Sequence, residues 1–334
     1  MMSFQKHHEP THSWQSCTKR FAVLSGVVAS VTLATTVVIA QPHDTRPDPV
    51  DPVLTPFGIA DRSCVHEIDD GEIVRPDKQT GESAVTSRSG EKRRSLPSCK
   101  YATIKNKSEH VPAVNGWLAA EAVDPVGSNG DHWLNGLTAT WTVPPNPSQN
   151  GGTLFLFNAA QTQLWDIIIQ PVLEWNNTGN NTWTIASWAG GNAYGYSHGT
   201  RRTVQPGNTI YGSIWAYDCD VWLIRGMCVW DITTMNLANF EYSYLEYIPN
   251  DSMKTAFGGV AEAYNITSCN RLPNGSLGST AFSSIQLYLP TWDANDHSLH
   301  NVQGGDWYGL GTPGGTPQCN YGGSPAYNYV TISY

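Results

Sequence analysis

The chain has 334 residues, a formal charge of −9 and only 14% charged residues, against 13 Trp, 15 Tyr and 31 Gly. Low charge with many aromatics and glycines fits an all-β sandwich or barrel with a sizeable core rather than a helical protein. An acidic balance also speaks against a nucleic-acid partner.

Residues 1 to 20 are polar and end in Lys19 and Arg20, and the stretch from Phe21 to Ala40 carries no charge. This reads as a signal peptide with Val38-Ile39-Ala40 as its small-residue cleavage site. The same apolar stretch is long enough to act as an N-terminal anchor if it is not cleaved, and only then is a membrane partner expected. Cleavage removes three basic residues and one acidic one, leaving 16 Lys and Arg against 27 Asp and Glu. Six cysteines then remain, an even number in an exported chain, so disulfides are expected and the protein is read as secreted. Spacing points to Cys64 with Cys99, Cys219 with Cys228 and Cys269 with Cys319. None of the six shows the C-x-x-C spacing of a zinc or redox site.

Residues 41 to 100 are rich in Pro and charge and read as a linker or pro-segment, with Asp44 to Pro56 extended. Gly81 to Arg94 reads as an exposed loop, either merely flexible or a processing site. After residue 100 the composition changes: residues 101 to 334 hold seven basic and sixteen acidic residues and form the folded domain. Strand-like runs recur there between turn signals. They are 137 to 143, 153 to 158, 167 to 175, 183 to 189, 209 to 217, 221 to 224, 228 to 233, 240 to 248, 259 to 266 and 282 to 289, with a last one at 327 to 334. With no convincing amphipathic helix, the fold class is all-β, an antiparallel β-sandwich of jelly-roll or concanavalin-like type.

The run Ile168-Ile-Gln-Pro-Val-Leu-Glu-Trp175 is the most strand-like. Period two places Ile168, Gln170, Val172 and Glu174 on one face, and Ile169, Pro171, Leu173 and Trp175 on the other. Pro171 places the strand at an edge or bulge. Glu262 lies in Gly258-Gly-Val-Ala-Glu-Ala-Tyr264, where small neighbours allow close backbone approach and the lone carboxylate reads as a cleft floor. Glu241 and Glu246, five apart, fall on opposite faces. His132, His198, His297 and His300 are scattered, and His297-Ser-Leu-His300 reads as a polar loop with Asp293 and Asp296. Nucleophile-elbow, zinc-protease, P-loop and dinucleotide motifs are absent.

Trp141-Thr-Val-Pro, Leu154-Phe-Leu-Phe-Asn158, Ile168 to Trp175, Trp183-Thr-Ile-Ala-Ser-Trp188 and Val204-Gln-Pro-Gly-Asn-Thr-Ile210, in this order, resemble the glutamic peptidases, the eqolisin family. The resemblance spans roughly residues 115 to 290. It implies that Gln170 and Glu262 are the catalytic pair and that Glu174, Trp175, Trp188 and Asn158 contact substrate. In such a site Glu262 is the general base on a water, while Gln170 holds that water and donates to the oxyanion. The resemblance implies an exported acid endopeptidase with a polypeptide substrate, an acidic optimum and no cofactor. The family's Trp-Val-Gly-Ile-Asp-Gly segment is replaced here by Leu154-Phe-Leu-Phe-Asn-Ala-Ala160, Pro171 follows the glutamine, and Ala263 follows the glutamate. Two alternatives stand beside it. One is a carbohydrate-binding or glycoside-cleaving sandwich acting on polysaccharide, with Trp165, Trp175, Trp183, Trp188 and Trp215 as sugar platforms and Glu174 with Glu262 as the acid pair. The other is a catalytically silent surface protein on the same fold.

Overall fold

A computed structural model describes residues 46–104, 114–125, 133–219, 227–290, 297–300, 306–310 and 317–334. The leader over residues 1 to 40, the strand expected at 221 to 224, His132, Asp293 and Asp296 lie outside the described residues, as does the side chain of His300. Six strands precede residue 100: β1 (Pro52–Thr55), β2 (Gly58–Asp61), β3 (Val65–Glu67), β4 (Glu72–Pro76), β5 (Ser83–Ser87) and β6 (Lys92–Leu96). Eight follow: β7 (Val114–Val123), β8 (Gly136–Thr142), β9 (Thr153–Thr162), β10 (Ile168–Trp175), β11 (Trp183–Gly191), β12 (Gly195–His198), β13 (Arg202–Val204) and β14 (Thr209–Tyr217). The remainder are β15 (Val229–Asn236), β16 (Tyr242–Tyr247), β17 (Met253–Ile266), β18 (Ser279–Pro290), β19 (His297–His300), β20 (Tyr308–Leu310), β21 (Gly322–Ala326) and β22 (Tyr329–Ser333).

These strands form an all-β sandwich. The first sheet runs β20-β7-β17-β9-β10-β11-β12-β3, with β13 beside β11. The second runs β21-β22-β18-β8-β14-β15-β16-β4-β5-β6, with β19 beside β18. Pairing is antiparallel except where the N-terminal segment joins: β3 lies parallel to β12, and β4 lies parallel to β16. Residues 41 to 100, expected as linker or pro-segment, thus carry strands in both sheets. The loop expected at Gly81 to Arg94 is largely the β5–β6 hairpin, because Ser83, Val85 and Ser87 alternate inward and Arg94 pairs with buried Glu72 at 2.7 Å. Residues 297–300, read as a polar loop, pair with β18 instead.

The core between the sheets takes alternate residues of each strand, among them Leu154, Leu156, Ile169, Leu173, Trp175, Trp183, Ile185, Ile214, Ile232 and Leu245. Ser187 joins the sheets through this core: its amide donates to Ser243 Oγ at 2.9 Å and its hydroxyl donates to the Ser243 carbonyl at 2.9 Å. Pro171 sits in a central strand rather than at an edge. It lacks the N–H that a rung needs, and the pairing of β10 with β9 skips Gln170 and Pro171 while resuming in the same register at Val172. The three cysteine pairs expected from spacing are all bonded, a set that forms in oxidising compartments. Among the described residues no helix is long and apolar enough to cross a membrane.

A second apolar cluster lies on the outer face of the first sheet. It joins Phe155, Phe157, Val172, Trp188, Tyr196, Phe257, Val260 and Tyr264 to Phe57 and Ala60 of the β1–β2 hairpin. This hairpin is a two-stranded sheet of its own, tied to the rest by a bridge between Ile59 and Ile104. Its turn is Pro56-Phe57, closed by Thr55, whose hydroxyl donates to the Gly58 carbonyl at 2.8 Å. Gly58 is required there: its φ is +130°, and a Cβ would meet Thr103 Cγ2 at 2.8 Å and the Ile104 carbonyl at 2.9 Å. At the base, Asp61 accepts from the amides of Val50, Asp51 and Ser63 and from the Ser63 hydroxyl. Those bonds, the Ser63 hydroxyl first, lower its carboxyl to about 2.

Candidate functional site

Gln170 lies on that outer face, fully buried, in the centre of the first sheet. Its row across the sheet continues to Trp188 on β11, His198 on β12 and Glu67 at the edge. In the other direction the register leads through Ala159 to Phe257 on β17. Gln170 Nε2 donates to the carbonyl of Pro56 at 3.1 Å, at the tip of the hairpin. Its Oε1 is buried with no hydrogen-bond partner among the described residues. An amide that grips a peptide carbonyl with one end and offers a buried lone pair at the other is an unusual core residue, because an unmet buried acceptor costs about 1–3 kcal/mol.

Glu262 is also buried on this face, and Tyr264, two residues on, donates its hydroxyl to Oε1. Burial, and then the neighbouring Glu262 charge, hold the Tyr264 phenol well above its usual range. The Glu262 row runs through Phe155 on β9 to Glu174 on β10 and Thr184 on β11. From Gln170 this row is two strands across and four residues along, so the two Cα atoms stand about 16 Å apart at ordinary strand spacings. The registers therefore bring Glu262 level with Glu174, about 10 Å away across β9, and leave apolar Phe257 level with Gln170. The small residues around Glu262 serve close packing on the opposite face: a Cβ at Gly259 would meet Phe282 at 2.4 Å and one at Gly258 would meet Trp307 at 2.4 Å.

Glu174 is fully buried and accepts four hydrogen bonds. Oε1 takes Trp188 Nε1 at 2.7 Å and Asn177 Nδ2 at 3.1 Å, while Oε2 takes the Thr184 hydroxyl at 3.0 Å and Arg201 Nε at 2.9 Å. All four lone-pair positions are used. Glu174 thereby fixes Trp188, whose ring also lies 5.2 Å beneath the Arg201 guanidinium. Arg201 Nη1 contacts His198 Nε2 at 3.2 Å. Arginine can only donate, so Nε2 accepts and Nδ1–H donates to the Gly199 carbonyl at 2.9 Å, which makes this imidazole neutral. Burial and then the Arg201 charge push the His198 pKa below its usual value.

Trp188 thus stands on the site, whereas Trp175 and Asn158 do not reach it. Period two turns both inward: Trp175 packs on Trp183 at 5.3 Å, and Asn158 lies against Gly212 and Trp141 between the sheets. Sequence reasoning passed over Phe57, Tyr196 and Arg201. Phe57 was readable, since Val-Leu-Thr-Pro-Phe-Gly-Ile-Ala-Asp is two alternating runs around a Pro-x-Gly turn. Two cavities flank the hairpin. One, of about 360 Å³, is walled by Phe57, Trp117, Leu164, Trp165, Asp166 and Tyr196, and one, of about 430 Å³, by Leu54, Arg62, Glu67, Trp188, His198 and Arg201.

No protein-family model matches the chain, and no curated protein does. Among solved structures, the chain is similar to scytalido-glutamic peptidase with a peptide-based transition-state analogue, at 16% identity and a TM-score of 0.41, covering 66% of this chain and 98% of that one. The same peptidase with a transition-state analogue inhibitor gives 16% identity and a TM-score of 0.38, with the same coverage. SCP-B, a member of the eqolisin family of peptidases in complex with the tripeptide Ala-Ile-His, gives 17% and 0.38, again covering 66% and 98%.

Proposed function

We propose that the outer face of the first sheet is a polypeptide-binding cleft of acid-peptidase type, on an exported chain. The observation that carries this reading is the Gln170 amide donating to the Pro56 carbonyl at 3.1 Å. A neutral amide aimed at a peptide carbonyl polarises it and would stabilise an oxyanion there, an effect worth about 3 kcal/mol for one such donor. The Oε1 of the same group would accept a hydrogen bond from an attacking water. In the hydrolytic form of the proposal, Glu262 takes the proton from that water and returns it to the leaving amine. Residues 1 to 40 then serve as signal peptide or anchor, residues 41 to 100 as a pro-segment, and residues 101 to 334 as the enzyme domain.

One observation favours a second reading, a cleft that binds polypeptide without cutting it. A general base must come within hydrogen-bond reach of its water, and about 16 Å between the Cα atoms of Gln170 and Glu262 is more than their side chains, standing off the face of the sheet, bridge through one water. The glycosidase alternative loses support at Glu174, whose four hydrogen bonds leave no oxygen lone pair for a glycosidic proton or a water.

Digestion of a denatured protein between pH 2 and 7, by the wild type beside Gln170→Ala and Glu262→Gln, separates these readings. Acid cleavage lost in both variants establishes the hydrolytic form. Binding of the denatured substrate without cleavage, weakened by Gln170→Ala, establishes the silent form. Absence of both binding and cleavage removes the proposal.

A further inference from the structure

The cleft holds more than a carbonyl. Phe57, the residue after Pro56, lays its ring flat on Tyr196, with centroids 4.4 Å apart and planes at 19°, and meets Trp188 edge-on at 5.9 Å. Both walls are fixed from behind. The Tyr196 hydroxyl is shared between Thr103 Oγ1 at 2.6 Å and Asn192 Oδ1 at 2.8 Å, and Trp188 is pinned by Glu174 and capped by Arg201. A slot whose walls are held by groups other than its occupant keeps its shape when that occupant leaves. Beyond the slot, the smaller cavity leads to an apolar lip at Leu164 and Trp165, which are 60% and 52% exposed. Trp165 holds this position with φ at +60°, a conformation a bulky side chain rarely takes.

We infer that this slot reads an aromatic side chain one residue C-terminal to the carbonyl gripped by Gln170, and that Phe57 is its resident intramolecular occupant, displaced when an unfolded polypeptide bearing such a residue binds. The inference rests on the polypeptide-cleft reading above and names its ligand. The hairpin is suited to leaving. It belongs to neither large sheet, and among the described residues the backbone bonds that tie its strands to the rest of the fold are the reciprocal pair between Ile59 and Ile104, at 2.9 and 3.0 Å, while the Arg62–Asp51 bond closes the base of the hairpin on itself. The Cys64–Cys99 disulfide beyond β2 keeps it tethered after it lifts. On the far side Arg62, Glu67, Arg201 and the neutral His198 line the other cavity, so the two ends of the cleft differ in charge, with Asp166 as the charged residue of the first and two arginines in the second.

The test uses the full chain as wild type, Phe57→Gly and Phe57→Gly with Tyr196→Leu. The probes are a fluorescein-labelled peptide of the hairpin sequence PVLTPFGIAD and its counterpart with Ala in place of Phe, followed by anisotropy. Emptying the slot should tighten binding of the Phe peptide by about tenfold or more, since the wild type opens only a fraction of the time. Phe57→Gly should prefer Phe over Ala by about 10- to 100-fold, and Tyr196→Leu should remove most of that preference. Equal binding of the two peptides overturns the slot while leaving the cleft standing. No binding of either peptide to any folded variant removes both. Should Phe57→Gly not fold, hydrogen exchange on the wild type decides: an excess of PVLTPFGIAD should deprotect the Ile59 and Ile104 amides, and unchanged protection contradicts displacement.

Discussion

Arg201→Met is the sharpest test of how the site is built. Glu174 is fully buried, Arg201 is 26% exposed, and their contact is 2.9 Å. Removing the guanidinium leaves a buried carboxylate on three neutral donors. Breaking a buried pair costs about 3–5 kcal/mol, and the partial exposure of Arg201 places this case at the lower end. Loss of the guanidinium over Trp188 adds about 0.5–1 kcal/mol. The expected total is about 3.5–4 kcal/mol, read from urea unfolding at pH 7 with disulfides intact. Glu174→Gln keeps an acceptor for Trp188 and Asn177 but sets an NH2 toward Arg201 and the Thr184 hydroxyl, and should cost about 2–3 kcal/mol. In the double variant the losses should fall short of their sum by about 1 kcal/mol or more, because one interaction has been removed twice. A loss below about 0.5 kcal/mol for Arg201→Met, or strict additivity, would refute the claim that this pair organises Trp188 and the cleft.

Three further outcomes are expected. Arg88→Ala should cost about 1–2 kcal/mol in the same unfolding assay, because it strips from fully buried Glu246 the Nε–H that its two oxygens share and leaves it, among the described residues, the Tyr217 hydroxyl as hydrogen-bond donor, while the 63% exposure of Arg88 keeps the loss below that of a fully buried pair. Replacing Cys64 and Cys99 by Ala should cost about 3–4 kcal/mol by loop entropy across 35 residues of separation, measured as the shift in denaturant midpoint. The lowered His198 pKa carries a definite sign: protonation is easier in the unfolded chain, so the stability this residue contributes is present above pH 6.5 and is lost as pH falls toward its folded pKa. An NMR titration should therefore find His198 titrating below 6.5, and a midpoint above that value would contradict the neutral imidazole.

Much of the sandwich was legible from period two alone. The runs at 137 to 143, 167 to 175, 183 to 189 and 209 to 217 lie on β8, β10, β11 and β14 to within two residues, because their alternation is unbroken and Gly, Pro or Asn turns bound them. The N-terminal strands were not legible. Their sequences are short and rich in Pro and charge; β3 and β4 join the large sheets through distant partners, β12 and β16, and the β4–β6 meander is held by an ion pair, Arg94 on Glu72, that period two does not reveal. In the site, the shared face of Gln170 and Glu174 follows from strand parity, as does the inward turn of Trp175. The distance from Gln170 to Glu262 does not, because it is set by the β9–β17 register and by the irregularity at Gly258 and Gly259, neither of which leaves a pattern within one strand. Pro171 shows the limit of a local rule: a proline in a central strand is accommodated here by skipping rungs on one side.

The central claim is that polypeptide binds on the outer face of the first sheet, carbonyl to Gln170. Photo-crosslinking tests it most directly: a PVLTPFGIAD peptide with benzoylphenylalanine at the Phe position is irradiated with the wild type and with Phe57→Gly, and the adducts are mapped by mass spectrometry. Adducts at Tyr196, Trp188 or their strand neighbours, more abundant in Phe57→Gly and reduced by Gln170→Ala, are the predicted result. Adducts confined to other surfaces, or a yield indifferent to both substitutions, would contradict it.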